Sequence, residues 1–183
     1  MSELKEKGYV VIREYISHEM ADYLRFFFIK ARENGLTTKT DKMSPEADCY
    51  LSAHPFELLL DYKTNFMRKV FGGKRLVPTY SYGRIYYNNA TLNSHVDRPS
   101  CEVSVSINIG GHYKQPWSFW IENKEIVLDK SDGIIYLGNE KSHWRNPWKG
   151  DKDQWQAQLF LHYVDEEGLF KKWKYDGRKN LNY

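Results

Sequence analysis

The chain has 183 residues, enough for one domain with a sizeable core and too few for two ordinary ones. At 41% hydrophobic and 16% aromatic residues it is no disordered chain, and no apolar run approaches the roughly 20 residues of a membrane span. The net charge of +3 gathers at one end: residues 168–183 hold Lys171, Lys172, Lys174, Arg178 and Lys179 against Asp176, so the rest is slightly acidic. That distribution argues against a nucleic-acid binder and reads as a solvated basic tail. Residues 1–7 are charged rather than signal-like, and Cys49 and Cys101 lie far apart with no disulfide or zinc spacing, so a soluble, cytoplasmic protein is expected.

In chain order, residues 9–12 are apolar and β-prone. Ser17 is a candidate N-cap for a helix whose stripe runs Met20, Leu24, Phe27, Phe28, Ala31 and stops at Asn34-Gly35. Residues 37–53 are polar and irregular, a loop. Residues 55–70 repeat the helical pattern with Phe56, Leu59, Leu60, Phe66 and Val70, ended by Gly72-Gly73. Seven short strands follow, at 74–87, 102–109, 118–121, 124–128, 133–137, 143–148 and 155–164, separated by Gly, Asn, Asp or Pro. Helices first and strands after predict a mostly β protein with flanking helices (α+β), built on a jelly-roll or cupin-like core. The single domain divides into a strand and bracing helices at 8–73, the jelly-roll at 74–165 and the basic tail at 168–183.

Residues 102–109 alternate cleanly: Val103, Val105, Ile107 and Ile109 face one way, Ser104, Ser106 and Asn108 the other. The aliphatic face covers a core, and the polar face suits either solvent or the lining of a wet barrel. Just before this segment stand His95 and Asp97, two lone-pair donors of the same parity. His143 lies 48 residues further on, at the start of another strand. Two imidazoles and a carboxylate on one barrel face make an open metal site of the kind used for ferrous iron, whereas structural zinc would want a closed, cysteine-rich set. His18 and His54 stand at helix starts as surface or capping residues, His112 in an exposed Gly-Gly-His-Tyr turn, and His162 in Leu-Phe-Leu-His-Tyr-Val is a core or barrel-lining residue.

The stretches "YGRIYYNNATLNSHVDRPSCEVSVSINIG", "DGIIYLGNEKSHWRNPW" and "QAQLFLHYV", with the opening "GYVVIREYISHEMADYL", resemble the iron(II)- and 2-oxoglutarate-dependent oxygenases, on the prolyl-hydroxylase-like side of that superfamily. The resemblance spans most of residues 8–165. It implies a double-stranded β-helix with Fe(II) held by His95, Asp97 and His143. It also implies 2-oxoglutarate and O₂ as co-substrates, succinate as a product and hydroxylation of an unactivated C–H bond. In relatives a tyrosine nine residues before the first histidine touches 2-oxoglutarate; here that is Tyr86, with Arg84 two residues earlier on the same parity.

One departure stands out. The relatives' basic residue about ten positions past the second histidine falls here near Gln156 or Gln158, and both are neutral. Arg145, two residues after His143, is the substitute expected to share the ligand's face, with Gln158, Tyr86 and Arg84 as further candidate contacts to 2-oxoglutarate. Arg98 either reaches inward or pairs with Glu102 or a neighbouring acid. The loops 37–53 and 110–117 are expected to flank the mouth. Tyr50, Tyr80, Tyr82, Trp144 and Trp148 are candidates either to line it or to pack.

The resulting expectation is a dioxygenase acting on an unidentified small molecule or peptide, with neither nucleic acid nor membrane as partner. A cupin-like binding module without oxidative turnover, and a nucleic-acid-directed demethylase of the same superfamily, are the alternatives.

Overall fold

Period-two alternation is the feature from which the molecule is built. In a computed structural model, which describes residues 2–39, 44 and 47–183, the alternating segments become strands of two facing antiparallel sheets. The strands are β1 (Tyr9–Ile12), β2 (Thr38–Lys39), β3 (Asp48–Leu51), β4 (Leu76–Tyr87), β5 (Leu92–His95), β6 (Val103–His112), β7 (Phe119–Ile121), β8 (Lys124–Ile126), β9 (Gly133–Tyr136), β10 (His143–Arg145) and β11 (Trp155–Asp165). The larger sheet runs β1-β9-β6-β11-β4-β3-β2 and the smaller β5-β10-β7-β8. Helices α1 (Ser2–Lys7), α2 (His18–Glu33) and α3 (His54–Val70) complete the regular structure. The architecture is the expected double-stranded β-helix with flanking helices.

The two faces of the long strands have separate tasks. Val103, Val105, Ile107 and Ile109 of β6, with Ile85 of β4 and Leu159, Leu161 and Tyr163 of β11, form the outer face. They pack against Leu24 and Phe28 of α2 and Phe56, Leu60 and Met67 of α3. Gly83 of β4 is required here: a Cβ would lie 2.7 Å from the Phe56 ring and 2.8 Å from Phe28, and both rings are wedged in the core. The opposite faces carry Ser104, Ser106 and Asn108 of β6, and Gln156, Gln158 and His162 of β11. All six are buried, so the polar face of β6 lines the barrel interior.

Ser17 caps α2 as expected, its Oγ accepting from the Met20 N–H at 3.1 Å. Several features differ from the sequence reading. The 37–53 segment contains β2 and β3, which extend the large sheet beside β4, and α1 is an additional helix. Residues 40–43, 45 and 46 of that loop lie outside the described residues. His95 stands ahead of β6, as expected, but also ends a strand of its own, β5, too short and polar (Leu-Asn-Ser-His) to show periodicity.

Nor is residues 168–183 a solvated tail. It folds back on α3, burying Leu181, because α3 places Glu57 with no exposed surface and a buried carboxylate needs donors. Glu57 Oε1 accepts from Ser81 N–H (2.8 Å) and Ser81 Oγ (3.0 Å), and Oε2 from Arg178 Nη2 (3.0 Å) and Asn182 N–H (3.1 Å). Half of those donors come from the tail. No helix among the described residues is long and apolar enough to cross a membrane, and both cysteines are free and buried.

Candidate metal centre and adjoining chamber

β5 and β10 pair antiparallel with His95 directly opposite His143, so both side chains leave the small sheet on one side. Their ring centroids are 4.3 Å apart. Asp97 arrives differently from the expected strand parity: it lies in the loop after β5, its N–H donating to Gly138 O at 2.7 Å. Glycine is needed at 138, since a Cβ there would sit 2.4 Å from Asp97 Oδ2 and from Cys101 O.

The ligand atoms of His95, Asp97 and His143 all lie within 4.8 Å of one another. Asp97 Oδ1 is 3.7 Å from His95 Nε2 and 3.6 Å from His143 Nε2. Each imidazole is set by its other nitrogen. His95 Nδ1 is 2.7 Å from Asn93 O and His143 Nδ1 is 2.9 Å from Lys141 O. A carbonyl only accepts, so each Nδ1 carries the proton and each Nε2 presents a lone pair to the shared position. Ser104 Oγ donates to Asp97 Oδ2 at 2.8 Å, which leaves Oδ1 facing the histidines. Burial pushes the Asp97 carboxyl up, but its neighbours His143, His162 and Ser104 outweigh burial and hold it at about 2. Burial and the neighbouring His143 lower the pKa of His95, favouring its neutral form.

His162, read as a core or barrel-lining residue, is barrel-lining and stands behind the aspartate. Its Nδ1 is 3.0 Å from Ser104 Oγ, and its ring lies 4.6 Å from that of Tyr80. Burial pushes its pKa down to about 4. Tyr136 and Phe119 pack on the His143 ring at 4.8 and 5.6 Å and fix its plane. The sequence pattern puts Ser104 on a polar face and Tyr136 in the strand before His143, but nothing local marks their contacts with the ligand set. His18 and His54 are exposed at helix starts, and His112 is exposed at the end of β6, beside Asp153.

Arg145 shares the inward face with His143, while Trp144 points outward to stack on Trp120. Its guanidinium lies over the rings of Trp117 (5.1 Å) and Phe119 (5.5 Å), and Nη1 donates to Trp117 O. No acid pairs with it among the described residues, and Nη2 has no hydrogen-bond partner there. Burial pushes its pKa down to about 10, so it remains charged at neutral pH. Gln156 Oε1 accepts from Trp117 N–H at 2.7 Å and Gln158 Oε1 from Ser106 Oγ at 3.3 Å, while both Nε2 groups are buried without acceptors among the described residues. Tyr86 is fully buried edge-on to Trp117, and Arg84 Nη1 lies 3.5 Å from its hydroxyl. Three donors inside the barrel without acceptors among the described residues, Arg145 from β10 of the small sheet and Gln156 and Gln158 from β11 of the large one, are what a bound carboxylate would satisfy.

An open cavity of about 440 Å³ leads to the triad. Its walls include Tyr80, Tyr82, Arg84 and Tyr86 along one face of β4, Phe160 and His162 of β11, and Leu51, Val96 and Arg98 at the mouth. Of the two loops expected to flank it, 37–53 contributes Leu51. The 110–117 loop lines a separate surface cavity with Trp148 and residues 149–151. Tyr80 and Tyr82 line the mouth, whereas Tyr50 packs on Phe27 and Trp148 stacks on Trp117. Arg98 pairs with Asp176 at 2.9 Å rather than with Glu102, which accepts from the Asp165 N–H.

No family model matches the sequence, and no curated protein matches it. The fold is similar to that of solved oxygenases. A Pseudomonas putida prolyl-4-hydroxylase superposes with a TM-score of 0.72 at 10% identity, over 90% of this chain and 96% of that one. A prolyl hydroxylase from Trichoplax adhaerens, in complex with a hypoxia-inducible-factor peptide fragment, gives 0.73 at 12%, over 91% and 87%. HygX from Streptomyces hygroscopicus, with nickel and 2-oxoglutarate bound, gives 0.66 at 11%, over 88% and 85%.

Proposed function

We propose that this protein is an Fe(II)- and 2-oxoglutarate-dependent dioxygenase that hydroxylates a small molecule or a peptide. The observation that carries the reading is the convergence of His95, Asp97 and His143, with each Nδ1 committed to a carbonyl and each Nε2 left for a metal. Three protein ligands leave coordination positions free, as O₂ and a chelating co-substrate require. Bound there, iron with 2-oxoglutarate and O₂ supplies the oxidising power for C–H hydroxylation, the 2-oxoglutarate leaving as succinate and CO₂.

The chain's own residues bind, orient and shield. His95, Asp97 and His143 hold the metal. Ser104, backed by His162, keeps one carboxylate oxygen of Asp97 occupied so that the other stays directed at the histidines. Arg145 supplies the positive charge for the distal carboxylate of 2-oxoglutarate, and the Gln158 amide adds a donor, with Gln156 beside it. Tyr86 and Arg84 flank that chamber. Phe119 and Tyr136 keep water from the ligand rings, and the β4 wall guides substrate inward.

Purified protein supplied with Fe(II), 2-oxoglutarate and O₂ should form succinate, and under anaerobic conditions should bind one Fe(II). Asp97→Ala should lose tight Fe(II) binding while keeping its unfolding transition, because the core lies on the other face of the large sheet. An Asp97→Ala protein that binds iron like the parent sinks the ligand assignment. Iron binding without succinate formation points instead to a cupin-like binding module.

A further inference from the structure

The mouth of the cavity carries a second guanidinium whose pairing differs from a structural ion pair. Arg98 follows Asp97 directly, lines the cavity, and lies face-on over the Tyr80 ring at 4.6 Å, with about half its side chain exposed. Its partner, Asp176, is brought by residues 171–177 and engages it through Oδ2 alone, at 2.9 Å; Oδ1 is buried without a hydrogen-bond partner among the described residues. Asp176 is delivered at conformational cost. Tyr175 (φ 53°) and Asp176 (φ 55°) are consecutive non-glycine residues in the left-handed region, followed by Gly177 at φ 75°.

The rest of the wall complements an apolar body bearing one negative group. Tyr80, Tyr82, Phe160, Leu51, Leu92 and Val96 are aromatic or aliphatic. The charged lining residues are Arg84, Arg98 and Asp97, and the aspartate faces the two histidines.

We propose that Arg98, braced on Tyr80, anchors a carboxylate of the substrate, that Asp176 holds this position until substrate arrives, and that the substrate is a small organic acid with an apolar body. This rests on the metal-site reading above and names the substrate class for it. The acid end meets the guanidinium at the rim, one residue along the chain from Asp97, and the apolar body lies against the tyrosine wall. A strained, one-oxygen partner is one that an incoming carboxylate can replace, because the guanidinium fork pairs better with two oxygens.

The test is calorimetric titration of the full chain, loaded with Ni(II) and 2-oxoglutarate so that no turnover occurs, with 4-phenylbutanoate and its neutral amide. The acid should bind at least about tenfold more tightly than the amide, as expected for a ligand carboxylate paired with a guanidinium. D176N should bind the acid about fivefold more tightly than the parent, the scale of a half-exposed ion pair removed from competition. Asparagine accepts the left-handed backbone, so that variant keeps the turn. R98Q should bind acid and amide alike. Equal binding of acid and amide by the parent and D176N, including no binding of either, overturns the proposal, as does an unchanged acid affinity in D176N. If Ni(II) or 2-oxoglutarate fails to bind, the metal-site reading falls, and the acid-over-amide preference of the metal-free protein still decides this one.

Discussion

Glu57 and Arg145 are both ionisable and both buried, yet their surroundings are opposite. On the helix side of the large sheet, Glu57 has both oxygens bonded, to Ser81, Arg178 and Asn182. Inside the barrel, Arg145 keeps its charge with a single carbonyl acceptor, no acid among the described residues and one nitrogen unanswered. Taking a charge out of water is costly unless partners replace the water. A charge whose partners are all supplied by the chain holds the fold together; one left incompletely paired among the described residues is what the proposed 2-oxoglutarate carboxylate would complete. His162 lies between the two, avoiding the cost by staying neutral beside Ser104.

The largest effect should come from breaking the satisfied charge. Glu57→Ala leaves Arg178 and three further donors without their acceptor and should cost about 3–5 kcal/mol of stability in urea unfolding. A loss below 1 kcal/mol would mean that the tail's docking is ornamental. Arg145→Gln should behave in the reverse sense. Stability should hold or rise, since an incompletely paired buried cation is removed, while 2-oxoglutarate affinity falls by about 2–5 kcal/mol and Fe(II) affinity barely changes. Were Arg145→Gln to unfold the protein and leave 2-oxoglutarate binding intact, the contrast with Glu57 would collapse.

The third effect is confined to acid. Burial lowers the folded-state pKa of His162 from its ordinary 6.5 to about 4, so the unfolded chain takes up the extra proton between those values. Its contribution is fully present above pH 6.5 and drains away as pH falls towards 4. Between pH 7 and pH 4 the parent should lose about 3 kcal/mol more than His162→Gln, a difference readable from paired denaturation curves. Parallel curves would show that His162 is protonated, or already solvated, in the native state.

How far these sites could be read in advance follows from the range of the forces involved. The alternation of β6, the stripes of α2 and α3, the Ser17 cap and the shared inward face of His143 and Arg145 are local consequences of backbone geometry, legible within a few residues. His95, Asp97 and His143 are grouped by the family resemblance rather than by local geometry, and the strand parity expected of Asp97 is not how it arrives. Other features depend on partners far along the chain. The His95–His143 register joins two short strands without periodicity, across 48 residues, and Gly138 admits Asp97 only because that loop closes on it. The docking of residues 168–183 depends on a buried carboxylate that in sequence is one acidic residue of a helix. Arg98 offered two readings, and a turn 78 residues away supplied its acid, Asp176. Local periodicity determined which way each side chain points; tertiary packing decided what it meets there, because burial and charge pairing depend on residues brought together only when the chain closes on itself.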